Sequence, residues 1–212
     1  MEGLDYTKLR PLPREFFNRS ARKVAKELLG KVLVRREQGF VLAGRIVEDE
    51  AYLGERDPAA HAAAGRTTRN EVLFGPPGHA YVYFIYGNHY CLNFSCEPEG
   101  RAGCVLIRAL EPLRGIKQMI LLRELKFGDA PSERGDLSLL TSGPGRLCQA
   151  MAITRARDNG KDVCMPGDLV VVDNGFRPPK IVSSGRVGVS KAAEDKLRYV
   201  ISGNAFVSGR RA

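Results

Sequence analysis

The chain has no tryptophan, and its five cysteines, Cys91, Cys96, Cys104, Cys148 and Cys164, contain no C-x-x-C pair. Zinc-ribbon, zinc-finger and iron–sulfur spacings are therefore absent. An odd set of thiols without paired spacing fits free cysteines in a reducing compartment. No apolar run reaches 18 residues, and the Met-Glu-Gly-Leu-Asp start has no signal-peptide pattern. The expectation is an intracellular protein of the cytoplasm, nucleoid or nucleus, with no membrane partner. Also missing are a G-x-S-x-G elbow, a Walker loop and a G-x-G-x-x-G fingerprint. No lysine lies in an apolar run that would lower its pKa for Schiff-base chemistry. His61, His79 and His89 have no metal-ligand spacing among themselves; His89 and Cys91 could share a strand face, but no third and fourth ligand accompanies them. Neither a metal nor an organic cofactor is expected.

Acid is scarce relative to base. The 212 residues carry 33 Lys and Arg against 24 Asp and Glu, a net charge of +9. Residues 1–40 hold ten basic and five acidic groups, residues 180–212 hold seven and two, and the stretch between is almost neutral. A near-neutral centre with basic flanks suits a catalytic core framed by phosphate contacts. With 43% hydrophobic residues the chain can bury a core, and no repeat or linker divides it, so one domain is expected.

Residues 1–19 read as irregular, punctuated by Pro11 and Pro13. Ser20 is placed to cap a helix with an apolar stripe at Ala21, Val24, Ala25, Leu28 and Leu29, ended by Gly30. Strands are expected at 31–36 and 40–52. Residues 53–79 show no clear period and contain Gly54, Gly65, Gly75, Pro76, Pro77 and Gly78; so long a loop in a compact domain is often functional. A strand at 104–110 precedes a helix expected over 113–125, after Pro112. Ser142-Gly-Pro-Gly145 opens another helix, with Pro144 where its missing N–H costs nothing. Strands at 169–172 and 181–189, a short helix at 191–197 capped by Ser190, and a last strand at 199–201 complete the reading. Strands and helices are segregated, which predicts an α+β fold: a single mixed domain with a curved, largely antiparallel sheet, flanking helices and a protruding β-hairpin.

That hairpin is Tyr81-Val-Tyr-Phe-Ile-Tyr86-Gly87-Asn88-His-Tyr-Cys-Leu-Asn93, two β-branched and aromatic runs around a Gly-Asn turn. Alternation puts Tyr81, Tyr83 and Ile85 on one face and Val82, Phe84 and Tyr86 on the other. Tyr83 can line an interior pocket while Tyr86, beside the turn, is free to enter a base stack; the alternative is an ordinary sheet hairpin with one semi-exposed tyrosine. In 44–52, Glu48, Glu50 and Tyr52 share a face, with Asp49 opposite. Three adjacent acids are poor strand formers. Either one of Glu48 and Glu50 is a water-activating base, or the acids are hydrated on an edge strand. Arg108, in Cys104-Val-Leu-Ile-Arg-Ala-Leu110, needs an anionic partner if buried. Asn93 either satisfies a neighbouring backbone or reads a ligand edge.

Five stretches carry a resemblance: Gly44-Arg-Ile-Val-Glu-Asp-Glu-Ala-Tyr-Leu-Gly54, Tyr81-Val-Tyr-Phe-Ile-Tyr-Gly87, Leu106-Ile-Arg-Ala-Leu-Glu-Pro112, Ser142-Gly-Pro144 with Leu147-Cys-Gln-Ala150, and Arg186-Val-Gly-Val189. In this order over about 160 residues, they make the chain similar to the alkyladenine (3-methyladenine) DNA glycosylase family of the non-helix-hairpin-helix type. The resemblance implies a single mixed α/β domain and assigns the water-activating glutamate to Glu50. It puts the stacking tyrosine at Tyr52, the opposing histidine at His61 and a third aromatic wall at Tyr83. Tyr86 becomes the intercalating residue, Asn93 the amide that disfavours the 2-amino group of guanine, Arg108 the residue holding water with Glu50, and Val187 a backbone carbonyl contacting it. The implied partner is double-stranded DNA containing damaged purines, bound by a monomer without lyase activity. The loop 73–78 and the segment 126–141 differ from animal relatives. A non-catalytic nucleic-acid-binding module could use the same basic ends and aromatic hairpin, but would release no base.

Overall fold

The computed structural model describes residues 5–6, 8–37, 39–85, 87–125 and 137–209. Its spine is one long strand. Val32–Glu37 (β1) turns at Gly39 into Phe40–Tyr52 (β2), whose 13 residues hold together most of an antiparallel sheet. The first half of β2 pairs with β1. From Ala43 onward it pairs with Gly103–Arg114 (β5), and at Glu48–Glu50 its other edge meets Arg198–Ile201 (β8). Ala80–Ile85 (β3) and His89–Cys96 (β4) form the hairpin, which joins β5 through Asn93–Cys96. Leu169–Val172 (β6) extends the sheet beyond β1, and Ile181–Ser184 (β7) beyond β8. The eight strands thus run β3-β4-β5-β2-β1-β6, with β8 and β7 branching from the second half of β2.

Helices are short and flank the sheet. Arg14–Phe17 (α1) leads into Ala21–Leu28 (α2), which buries Ala21, Val24, Ala25 and Leu28 and packs on β2 and β5. Ser20 sits at the N-cap position of α2, but its hydroxyl makes no capping bond. Ile116–Leu122 (α3), Ser138–Thr141 (α4), Pro144–Ala150 (α5) and Arg155–Asp158 (α6) follow, with α5 lying across β4 and β5 and Pro144 in its first turn. Leu28, Leu33, Ile46, Leu92, Ile107, Leu110 and Leu147 belong to the main core. Residues 53–79 form no strand; short 3-10 turns at Gly54–Arg56, His61–Ala64 and Glu71–Phe74 fold them into a lobe. Ala62, Leu73 and Phe74 of that lobe form a separate apolar cluster with Tyr81 of β3, with Ala102 and with Cys104 of β5.

Three local expectations are corrected. The helix expected over 113–125 begins only at Ile116, because β5 continues to Arg114 through Pro112. Proline survives there because the pairing of β4 with β5 stops at Asn93 and Leu106 and the β2 register shifts at Ala43/Gly44, so the sheet asks little of its missing N–H. Gly115 makes the break: its φ is +81°, and a Cβ there would lie 2.7 Å from the Val41 carbonyl oxygen. The strand expected over 181–189 stops at Ser184, and 191–197 is not a helix. Gly185 and Gly188 release the chain from the sheet. The charged run that follows offers too narrow an apolar stripe to stabilise one short helix.

The alternative of a hydrated edge strand is also excluded, since β2 is central and Glu48, Asp49 and Glu50 are all fully buried. Asp49 is the unusual member, because neither carboxylate oxygen has a hydrogen-bond partner among the described residues. Burial, reinforced by the Glu48 and Glu50 charges, raises its pKa well above the ordinary 3.8. These surroundings favour the neutral acid at Asp49. Its folded pKa exceeds its unfolded one, so its contribution is intact below 3.8 and is lost as pH rises, by about 1.4 kcal/mol per pH unit until the folded pKa is passed. Asp49→Asn should therefore raise the melting temperature, and by more at pH 8 than at pH 5. Equal shifts at both pH values in a thermal melt would contradict a protonated Asp49.

Candidate functional site

Two carboxylates on one face of β2 share a single guanidinium. Arg108, reaching across from β5, donates from Nε to Glu48 Oε1 at 2.8 Å and places Nη1 3.3 Å from Glu50 Oε1. Glu48 is otherwise saturated: Arg198 Nε donates to it at 2.8 Å, and Ser208 supplies both its amide, at 2.5 Å, and its hydroxyl, at 2.9 Å. Glu50 is engaged differently. The Val187 amide donates to Oε1 at 2.8 Å and the Tyr52 hydroxyl to Oε2 at 3.0 Å. Burial raises the Glu50 pKa, and Arg108, the Val187 amide and the Tyr52 hydroxyl pull it back only in part. Burial beside Glu50 likewise keeps the Tyr52 phenol protonated by raising its pKa. Burial works against the Arg108 charge, but Glu50 and Glu48 more than compensate.

Above Glu50 opens a cleft of about 540 Å³, walled by Tyr52, His61, Tyr81, Tyr83 and Asn93, with Arg108 and Val187 among its lining residues. Tyr81, Tyr83 and Ile85 face it from β3, as the alternation of the hairpin requires. Glu50 itself is fully buried and is not among the lining residues, whereas its partners Tyr52, Arg108 and Val187 are. His61 opens a 3-10 turn in the lobe; its Nδ1 lies 3.0 Å from the Tyr81 hydroxyl and its ring centroid 4.5 Å from that of Tyr83. Burial and nearby Arg69 lower the His61 pKa, which favours a neutral ring. Asn93 donates to the Tyr81 carbonyl at 3.1 Å, so it satisfies neighbouring backbone while lining the cleft.

The lobe is tied to this floor by a second buried ion pair. Arg186 forks onto Asp57, with Nη1–Oδ2 2.5 Å and Nη2–Oδ1 2.9 Å, and donates to the Ala51 carbonyl. Asp57 also accepts from the amides of Leu53 and Ala59. Burial raises its pKa, but the Arg186 and amide hydrogen bonds prevail and hold it below the ordinary value. The Arg186 guanidinium carbon lies 4.7 Å from the centroid of the Tyr52 ring.

Of the residues singled out in the sequence, Glu50, Tyr52, Arg108 and Val187 meet through direct contacts, and His61, Tyr83 and Asn93 line the same cleft. Tyr86 and residues 126–136 lie outside the described residues. Asp57, Arg186, Arg198 and Ser208 were missed. Arg198, a lone cation opening the apolar strand Arg198-Tyr-Val-Ile, carries the same signal that marked Arg108; Ser208 carries none. Among the described residues no group of three or more His, Cys, Asp or Glu is placed to hold a metal, and no helix is long and apolar enough to cross a membrane.

Fold and site together define a mixed α+β protein whose antiparallel sheet carries an aromatic-walled cleft over a buried acid. Residues 15–205 match the family model described as methylpurine-DNA glycosylase. Similar proteins include one from Koribacter versatilis, 58% identical over 96% of this chain and 95% of its own length, and one from Methanocella arvoryzae, 51% identical over 88% of each. Another, from Clostridium botulinum, is 47% identical over 93% of this chain and 98% of its own length. All three are provisionally named 3-methyladenine DNA glycosylases. The chain belongs to the methylpurine-DNA glycosylase family.

The Glu48 network yields a stability prediction. Glu48→Ala leaves buried Arg198 without a carboxylate and Arg108 with Glu50 alone, and should cost about 3–5 kcal/mol in urea unfolding. Ser208→Ala removes one hydroxyl and leaves the ion pairs intact, so it should cost only about 1–2 kcal/mol. Equal losses would mean that the ion pairs do not dominate.

Proposed function

We propose that this protein is a monofunctional DNA glycosylase that takes alkylated or deaminated purines, of the 3-methyladenine, 7-methylguanine and hypoxanthine class, out of duplex DNA and hydrolyses their N-glycosidic bond. The observation that carries the reading is the Glu50 carboxylate, raised in pKa and fixed by Arg108, Val187 and Tyr52 directly behind an aromatic cleft. A base inside a duplex cannot be attacked at its sugar carbon, so the nucleotide is rotated into the cleft. Tyr86, assigned by the family resemblance, fills the vacated stack and offsets part of the few kcal/mol lost in unstacking. Damaged or mispaired bases cost less to extrude, which gives a first layer of selection.

Within the cleft Tyr52, His61 and Tyr83 enclose the purine. A cationic alkylpurine gains about 0.5–2 kcal/mol against aromatic faces, depending on desolvation. Glu50 takes the proton of a water aimed at C1′, with Arg108 and the Val187 carbonyl orienting it, and the same carboxylate stabilises the positive charge that grows on the sugar. The bond pair leaves with the purine. The reaction parallels glycosidase chemistry with an alkylated base already a good leaving group. Asn93 disfavours the 2-amino group of normal guanine. Among the described residues no lysine lines the cleft, which supports a reaction that leaves the abasic strand uncut.

Two measurements test this. Glu50→Gln should abolish release of free base from alkylated and inosine-containing duplexes, read by chromatography, while DNA binding persists. For the parent, activity should rise with pH along a limb displaced above the ordinary carboxylate value of 4.5, since the deprotonated form is the base. Excision close to parental by the glutamine variant would remove the proposed base. Asn93→Ala should raise guanine release relative to hypoxanthine release; an unaltered ratio would dismiss the gatekeeping role.

A further inference from the structure

Tyr52 presents one surface to the cleft and is touched from elsewhere by a cation. Arg186 lies 4.7 Å from the ring centroid, yet it is not among the residues that line the cleft, whereas Tyr52 is. The guanidinium is therefore behind the plate. It is buried and cannot swing away, because Asp57 grips both terminal nitrogens and the Ala51 carbonyl accepts a third bond. The next residue, Val187, gives its amide to Glu50. One short segment thus holds both the aromatic plate and the acid.

We propose that Arg186 is a specificity-determining positioning residue, one that polarises Tyr52 from behind and so weakens the stacking of cationic purines relative to neutral ones. This rests on the reading of Tyr52 as the surface against which the extruded base lies. The attraction of an aromatic face for a cation comes from the negative potential of its π cloud. A cation already held against one face draws that density towards itself and leaves the opposite face poorer. Asp57 compensates the charge, but it is bonded to the guanidinium nitrogens, and the positive end of the pair is the end in contact with the ring. The effect falls on binding. A purine methylated at N7 is cationic while still attached to the sugar, and becomes neutral once the N9–C1′ bond pair has moved onto it. The purine has lost only part of its charge in the transition state, so part of the penalty persists there: the half-saturating concentration carries the whole effect and the maximal rate only the part already relieved.

The test compares two duplexes alike except for the lesion, cationic 7-methylguanine or neutral hypoxanthine. Single-turnover rates and half-saturating protein concentrations are measured for each with the parent, Asp57→Asn, Asp57→Asn/Arg186→Gln and Arg186→Lys, all checked for folding by thermal melt. Asp57→Asn leaves the guanidinium uncompensated and should raise the cationic-to-neutral ratio of half-saturating concentrations by about two- to fivefold. The double variant removes the charge without stranding Asp57 and should lower that ratio by a similar factor. Arg186→Lys, which keeps the charge, should stay nearer the parent than the double variant does. A merely structural role would weaken both lesions together. The proposal is overturned if the ratio stays fixed, or if it moves the same way in Asp57→Asn and in the double variant. Should the double variant fail to fold, the direction of the Asp57→Asn shift decides alone. A parent that releases neither base overturns the glycosylase reading itself, a result distinct from an active parent with an immovable ratio.

Discussion

The architecture depends on one guanidinium serving two carboxylates. Arg108 bridges Glu48 and Glu50, and without it β2 would carry two like charges on one face in the middle of a sheet. Burying an isolated carboxylate costs several kcal/mol, as much as the burial of two or three aliphatic side chains returns. The chain balances the account locally. Glu48 and Glu50 face Arg108 and Arg198, two negative groups against two positive, and the raised pKa of Asp49 favours its uncharged form. Asp57 and Arg186 form a second self-compensating pair under the lobe. The floor of the cleft is highly charged and close to neutral, which is the condition for burying it at all.

The two same-face acids have been given different surroundings. Glu48 is surrounded by two guanidinium groups and by both donors of Ser208, so its lone pairs are spoken for and its place is structural. Glu50 keeps one ion-pair contact and two neutral donors, and burial prevails over them. The register shifts of β2 at Ile46/Glu48 and Glu48/Asp49 lie where this divergence begins. A bulge re-aims side chains that strict alternation would treat alike. Periodicity could therefore narrow the base to Glu48 or Glu50, but could not choose between them.

Much of the frame was legible, because it is written in short-range rules. The β1–β2 hairpin, the aromatic hairpin, the start of α5 at Pro144 and the strand at 169–172 all follow from alternation and turn chemistry. What was missed lies where distant segments decide. Pro112 reads as a helix start, but the sheet leaves room for it in β5. The run 185–197 reads as strand then helix, but its role is to return past the site, delivering the Val187 amide to Glu50 and Arg186 to Asp57. Ser208 has no local signal, and its importance comes from a separation of 160 residues from Glu48. The candidate site was legible where it draws on β2, β3 and β5; on the C-terminal return only Val187 was assigned, through the family resemblance and for its carbonyl rather than for the amide that meets Glu50.

The hydrogen bond between Tyr52 and Glu50 couples stacking to chemistry. An ionised carboxylate offers about four acceptor directions. On Glu50 one is used at Oε1, by the Val187 amide, and one at Oε2, by Tyr52, while Arg108 adds an ion-pair contact at Oε1. A water taking the direction left at Oε2 would be positioned by the same residue against which the purine stacks. The phenol donates only while protonated, and burial keeps it so. A change in the tilt of the Tyr52 ring is then transmitted to the acceptor geometry at Oε2. Holding that ring between the cleft on one side and Arg186 on the other limits the tilt, and this makes the rigidity of the plate a condition for aiming the base.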